Sequence, residues 1–87
     1  MFRLSPQVRL RRGPDGSCWA FRLDSGEHYE LNETAYETLA ALARGDDQVS
    51  IAHHLAGEYG ITSGRTEVDV EELLTTCVDE GLVTREE

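Results

Sequence analysis

The residues of this chain best equipped for chemistry are two cysteines, Cys18 and Cys77, and three histidines, His28, His53 and His54. A thiol with an imidazole and the nearby Asp79 would make a nucleophilic constellation if the fold assembled them. The spacing matches no recognisable catalytic pattern, and Cys77 falls on an apolar stripe where a thiol packs rather than reacts. His53 and His54 are adjacent, and neighbouring side chains on a helix point about 100° apart, so the pair is poorly placed to share one metal ion. Without a CxxC motif the two cysteines read as separate reduced thiols rather than a disulfide framework. These residues point to a non-enzyme with no metal and no cofactor.

The elements that carry them follow from hydrophobic period. In QVRLRR, Val8 and Leu10 alternate with Arg9 and Arg11, the pattern of a half-buried strand. Gly13-Pro14-Asp15-Gly16 makes a turn, and SCWAFRL follows with Trp19, Phe21 and Leu23 on one side and Cys18, Ala20 and Arg22 on the other. The Trp/Phe/Leu side is the expected core face. Asp24-Ser25-Gly26 makes a second turn, and EHYEL sets Tyr29 and Leu31 opposite His28 and Glu30.

From Asn32 onward the period becomes helical. Asn32 is a favoured N-cap, and Ala35, Tyr36, Leu39, Leu42 and Ala43 recur as one stripe before Gly45. A second helix fits residues 48–59, capped by Asp47, striped by Ile51, Ala52, Leu55 and Tyr59, and ended by Gly60. A third begins near Arg65 and carries Val70, Leu73, Leu74, Cys77 and Val78 up to Gly81, after which Leu82 and Val83 pack back on the sheet. Residues 1–6 and 84–87 are expected to be short tails of a single domain spanning 1–87. The fold class is thus α+β, a three-stranded antiparallel sheet followed by three helices in a winged helix-turn-helix-like arrangement.

Charge limits what such a fold can bind. The chain has 87 residues and a formal net charge of −9. Residues 65–87 set Arg65 and Arg85 against eight carboxylates, so the helix that would enter a DNA groove is dominated by the wrong sign. No run of apolar residues suits a signal peptide or a membrane span, which makes a cytoplasmic protein without membrane contact the expectation.

The order VRLRR, DG, YELNETA, IAHHLAGEYG, DVEELL and GLV resembles the PqqD-like domain, also called the RiPP recognition element, from about Val8 to Val83. Among its members it is most similar to the free-standing recognition subunits of lasso-peptide maturation, and secondarily to the PqqD proteins of quinone-cofactor biosynthesis. The resemblance implies binding of the leader of a ribosomally synthesised precursor peptide, antiparallel along the third predicted strand and beside the third helix. It implies a second contact with the leader peptidase of the pathway, a transglutaminase-like cysteine protease. Carried over by position, the leader-binding residues are Glu27, His28, Tyr29, Glu30 and Leu31 on the strand, with Asp69, Val70, Leu73, Leu74 and Cys77 on the helix. The sequence leaves open how those helix positions divide between groove and core. The alternatives are a PqqD-type peptide chaperone and a winged-helix DNA-binding regulator.

Overall fold

The computed structural model describes residues 1–86. The chain runs β1 (Phe2–Leu4), β2 (Val8–Arg12), β3 (Cys18–Arg22), β4 (His28–Leu31), α1 (Glu33–Ala43), α2 (Gln48–Tyr59), α3 (Ser63–Asp79) and β5 (Val83–Arg85). Strands β2, β3 and β4 form an antiparallel sheet in that order, and three helices follow it, so the fold is α+β and winged-helix-like.

Local chemistry sets the boundaries. The Asn32 side chain accepts from the Ala35 N–H at 2.7 Å and starts α1 only one residue beyond β4. Asp47 accepts from the Ser50 N–H at 2.8 Å and starts α2, and this hydrogen bond to the ionised carboxylate holds its pKa below the usual value. Gly60 ends α2 in the left-handed conformation, φ 68°, which glycine adopts without steric penalty. Helix α3 starts two residues before the expected position, after Thr62, which makes no side-chain capping bond.

The chain ends are not tails. β1 and β5 form a second antiparallel sheet, with Phe2 opposite Arg85 and Leu4 opposite Val83. The N-terminal ammonium donates to the Glu86 carbonyl at 2.8 Å, and Phe2 is buried beneath the Arg85 guanidinium, 4.8 Å from its ring centre. A three-residue strand is too short to show a period, and its partner lies at the far end of the sequence. Glu87, the last residue of the expected C-terminal tail, lies outside the described residues.

A second correction concerns β3. Its buried side is Cys18 and Ala20, at 2% and 0% exposure, while Trp19 and Phe21 are half-buried on the other face and Leu23 is 58% exposed. Alternation identifies which side chains share a face but not which face turns inward. Here α1 packs against the inner side of β3, and small side chains allow that approach. Tyr59, expected on the inner stripe of α2, is also exposed and donates its hydroxyl to Glu37 at 3.2 Å, leaving Ala56 to pack inward.

One core joins the two sheets and three helices. Ala20, Leu39, Leu42, Ile51, Ala52, Leu55, Val70, Leu74, Cys77, Leu82 and Val83 are all buried in it. Leu39, Leu74 and Leu82 are at 0% exposure, and full burial of each contributes about 1.5–3 kcal/mol relative to an exposed position.

Candidate functional site

β4 is an edge strand, and its register determines what that edge offers. Arg22, the last residue of β3, donates its N–H to the Glu27 carbonyl at 2.8 Å, which puts this position in the hydrogen-bonded phase of the β3–β4 ladder. Alternation then turns the backbone groups of Tyr29 and Leu31 toward β3, opposite Ala20 and Cys18. The N–H and C=O groups of His28 and Glu30 point the other way, to the open side. Along four residues the strand therefore presents two donors and two acceptors to an additional strand.

Side chains alternate with the same period. Tyr29 and Leu31 lie on the inner face and pack, half-buried, against the core. His28 and Glu30 project from the outer face and are exposed. His28 stacks at 5.9 Å on Phe21 and lies 5.7 Å from Trp19, so its ring does not enter the space beside α3.

The position of α3 follows from its own geometry. At 100° per residue, the buried Thr66, Val70, Leu74 and Cys77 define its inward side. Asp69, Leu73, Thr76 and Glu80 descend one flank, and Glu67, Glu71, Thr75 and Val78 descend the other. Arg85 donates to the Thr75 hydroxyl at 3.0 Å, which turns the second flank toward β5. Arg22 reaches the backbone carbonyl of Glu80, the residue that caps α3, at 3.5 Å, which brings the C-terminal end of α3 to β3. Leu73 is half-buried and Asp69 and Thr76 are exposed on the first flank of α3, while Tyr29 and Leu31 are half-buried on the inner face of β4.

A polar cluster joins the start of β4 to the C-terminal end of α3. Arg22 pairs with Asp24 at 3.0 Å and Glu27 at 3.4 Å, and the Tyr29 hydroxyl donates to Glu27 at 3.2 Å. Desolvation pushes the Tyr29 pKa up, assisted by that hydrogen bond and by the charges of Glu27 and Glu80. The hydrogen bond from Arg22 holds the Asp24 carboxyl below its ordinary range. The sequence pattern alone does not single out Arg22, Thr76 or Glu80. Arg22 was detectable in principle, since it shares the parity of Cys18 and Ala20 and so ends the inward row of β3.

The ten expected site residues thus divide by environment. Tyr29, Leu31 and Leu73 are half-buried against the core, and Asp69 is exposed. Glu27 belongs to the polar cluster, while His28 and Glu30 offer backbone to the edge and side chains to the opposite face. Val70, Leu74 and Cys77 are at 3%, 0% and 2% exposure and belong to the core. Burial pushes the Cys77 thiol up to about 11, so it is protonated at neutral pH and no nucleophile. His53 and His54 are both exposed, with imidazole nitrogens 3.9 Å from Glu67 and 3.4 Å from Glu58.

Other concavities lie elsewhere. One of about 910 Å³ runs between β1 and the α1–α2 connection, and another of about 420 Å³ lies between α1 and α2 beside Arg12 and Tyr36. Neither takes a residue from β4 or α3. No helix among the described residues is long and apolar enough to cross a membrane.

A winged-helix-like domain with a free sheet edge at β4 is the class that this geometry defines. The chain belongs to the PqqD family, described as "Coenzyme PQQ synthesis protein D (PqqD)", which matches residues 19–83. It is similar over 97% of its length to a solved structure described as "Lasso peptide synthetase B1 complexed with the leader peptide", with 27% identity, a TM-score of 0.84 and 98% of that chain covered. A second structure, "TbiB1 in Complex with the TbiA(beta) Leader Peptide", shares the fold at a TM-score of 0.86 with 18% identity and 98% of both chains covered. No curated protein matches the sequence.

Proposed function

We propose that this chain binds the leader segment of a ribosomally synthesised precursor peptide and presents it to the maturation enzymes of a lasso-peptide pathway, a leader peptidase among them. The observation that carries this reading is the open edge at His28 and Glu30 beside the apolar wall of Tyr29, Leu31 and Leu73. The solved chain described with a bound leader supports it, since the likeness extends over nearly the whole of both chains.

In this mechanism the leader adds as a strand antiparallel to β4. Four edge groups, each contributing about 0.5–1.5 kcal/mol net when paired, provide affinity with little sequence information. Selectivity then falls to leader side chains that point inward, onto Tyr29, Leu31 and Leu73, and to the carboxylates of Asp69 and Glu80 at the rim, which favour basic neighbours. Tyr29 is held by Glu27, and Glu27 by Arg22, so this wall is ordered before the peptide arrives and less entropy is lost on binding. The chain acts as an adaptor in this reading, and catalysis belongs to its partners. The family description also names quinone-cofactor synthesis, where the same edge would serve a different precursor.

Isothermal titration against the unmodified precursor, its leader alone and its core alone tests the proposal. The leader should bind within about twofold of the whole precursor and the core negligibly, because pairing and selection both act on the leader. Equal binding of the isolated core would remove leader recognition as the function.

A further inference from the structure

The three-stranded sheet has two edges, and its outer strands treat their free backbone groups differently. Gly13 donates its N–H to the Ser17 carbonyl at 2.7 Å and Leu23 donates to the Gln7 carbonyl at 2.8 Å, which puts Gln7, Arg9, Arg11 and Gly13 in the hydrogen-bonded phase with β3. The backbone groups of Val8, Leu10 and Arg12 therefore point away from the sheet. At β4 the corresponding outward groups, those of His28 and Glu30, have no partner among the described residues.

At β2 most of them are already engaged. Val8 donates its N–H to the Ser5 carbonyl at 3.0 Å, and its own carbonyl accepts from Nη1 of Arg9 at 3.1 Å. The same Nη1 also donates to the Pro6 carbonyl at 3.0 Å. The Leu10 carbonyl accepts from Nη1 of Arg11 at 3.2 Å, so of the outward groups of Val8 and Leu10 the Leu10 N–H alone has no partner among the described residues. Arg3, Arg12, Arg22 and Arg44 each pair with a carboxylate, whereas among the described residues Arg9 and Arg11 form no ion pair, although the chain has 17 acidic residues. Their guanidinium groups serve the edge carbonyls instead.

We infer that Arg9 and Arg11 close the β2 edge and so confine strand addition to β4. The inference rests on the leader-binding reading and deepens it, because it names residues that select the binding edge without touching the leader. An incoming strand would have to aim its N–H groups at the Val8 and Leu10 carbonyls, where a cationic donor already sits, and each new bond would displace a charge-assisted one. Without this guard, β2 would compete for the same peptide, since Val8 and Leu10 are apolar on its inner face and backbone pairing carries little sequence information. A leader paired there would lie about 19 Å from one paired with β4, four strand spacings away, and would miss Tyr29 and Leu31.

The test uses the whole chain, the leader peptide alone and the double variant Arg9→Thr with Arg11→Thr, which keeps strand propensity while removing both guanidinium groups. Both positions are exposed, so the variant should fold. Arg3→Thr with Arg44→Thr removes the same charge away from the β2 edge and serves as the control. Leader uptake is measured by isothermal titration, amide exchange by NMR and self-association by sedimentation. The parent and the control should take one leader per chain, with the His28 and Glu30 amides protected at saturation and the Leu10 amide exchanging freely. The variant at Arg9 and Arg11 should keep its first site within about twofold and take up a second leader, slowing exchange at Leu10 about tenfold or more. A variant that self-associates and protects Leu10 without leader supports the guard equally, with a second copy adding to the released edge. Protection of Leu10 by leader in the parent, the same gain in the control, or a double variant that stays monomeric with one leader and a fast Leu10 amide overturns the proposal. A parent that binds no leader refutes the leader reading by itself, and sedimentation and Leu10 exchange of the double variant still decide the guard.

Discussion

The two faces of strand β3 differ in a way that residue hydrophobicity alone would reverse. Cys18 and Ala20 are enclosed against the helices, whereas Trp19, Phe21 and Leu23 face outward. Space explains the difference: a helix packed across the inner face leaves room for small side chains, while among the described residues the outer face has no layer above it to limit size. Large apolar residues on an uncovered face stabilise the sheet through cross-strand contacts, and they remain available to a partner.

The interior behind the inner face should show the largest response. Leu74→Ala removes a side chain at 0% exposure and should cost about 2–5 kcal/mol in urea unfolding, with leader affinity of the folded fraction nearly intact. A small loss of stability with a large loss of leader affinity would move Leu74 from core to groove.

Cys77 tests the same region by reactivity. Its pKa is raised from 9.0 to about 11 by burial, so at pH 8 the folded chain holds about a hundredfold less Cys77 thiolate than the unfolded chain. Iodoacetamide labelling followed by peptide mass spectrometry should therefore be slower at this site by at least that factor. Because the folded-state pKa is the higher one, the thiol's contribution to stability is complete below pH 9 and is lost as pH rises toward 11. Rapid labelling in the native state would show that the site opens locally.

The two sides of β3 can then be compared directly. Ala20→Leu overfills the inner face between Leu10 and Tyr29 and should cost about 1–3 kcal/mol, displacing Tyr29 and weakening leader binding as well. Trp19→Ala on the outer face should cost less, about 0.5–1.5 kcal/mol from lost aromatic contacts, without affecting the leader. Thermal melts and leader titrations of the two proteins would settle the assignment of faces; the opposite ranking would restore Trp19 to the core.

Much of this architecture was legible locally. Asn32 and Asp47 announce helix starts because a side-chain acceptor three residues before a free N–H is a short-range device, and both form the expected bond. Tyr29 and Leu31 were assignable to one face of their strand by parity alone. What failed depended on the third dimension. The alternation in SCWAFRL leaves either face eligible for burial, and only the approach of α1 decides between them. The β1–β5 pairing joins residues more than 75 positions apart and leaves no periodic trace in three residues. On α3, helical spacing identifies a stripe but does not divide the half-buried Leu73 from the fully buried Leu74, since adjacent positions diverge only when the neighbouring elements are known.

The pairing of the chain ends has a mechanical consequence. Met1 and Glu86 exchange backbone hydrogen bonds at the outermost position of the β1–β5 ribbon, with the Arg3–Glu86 ion pair next to them. Tension applied between the two ends would load these bonds one after another, in a peeling direction, rather than all at once in shear. The ribbon should therefore yield first in an optical trap, at low force, lifting Phe2 and Val83 out of the core while β4 and α3 stay folded. Opening from the ends would in this way be separated from the edge at His28 and Glu30, which belongs to the other sheet.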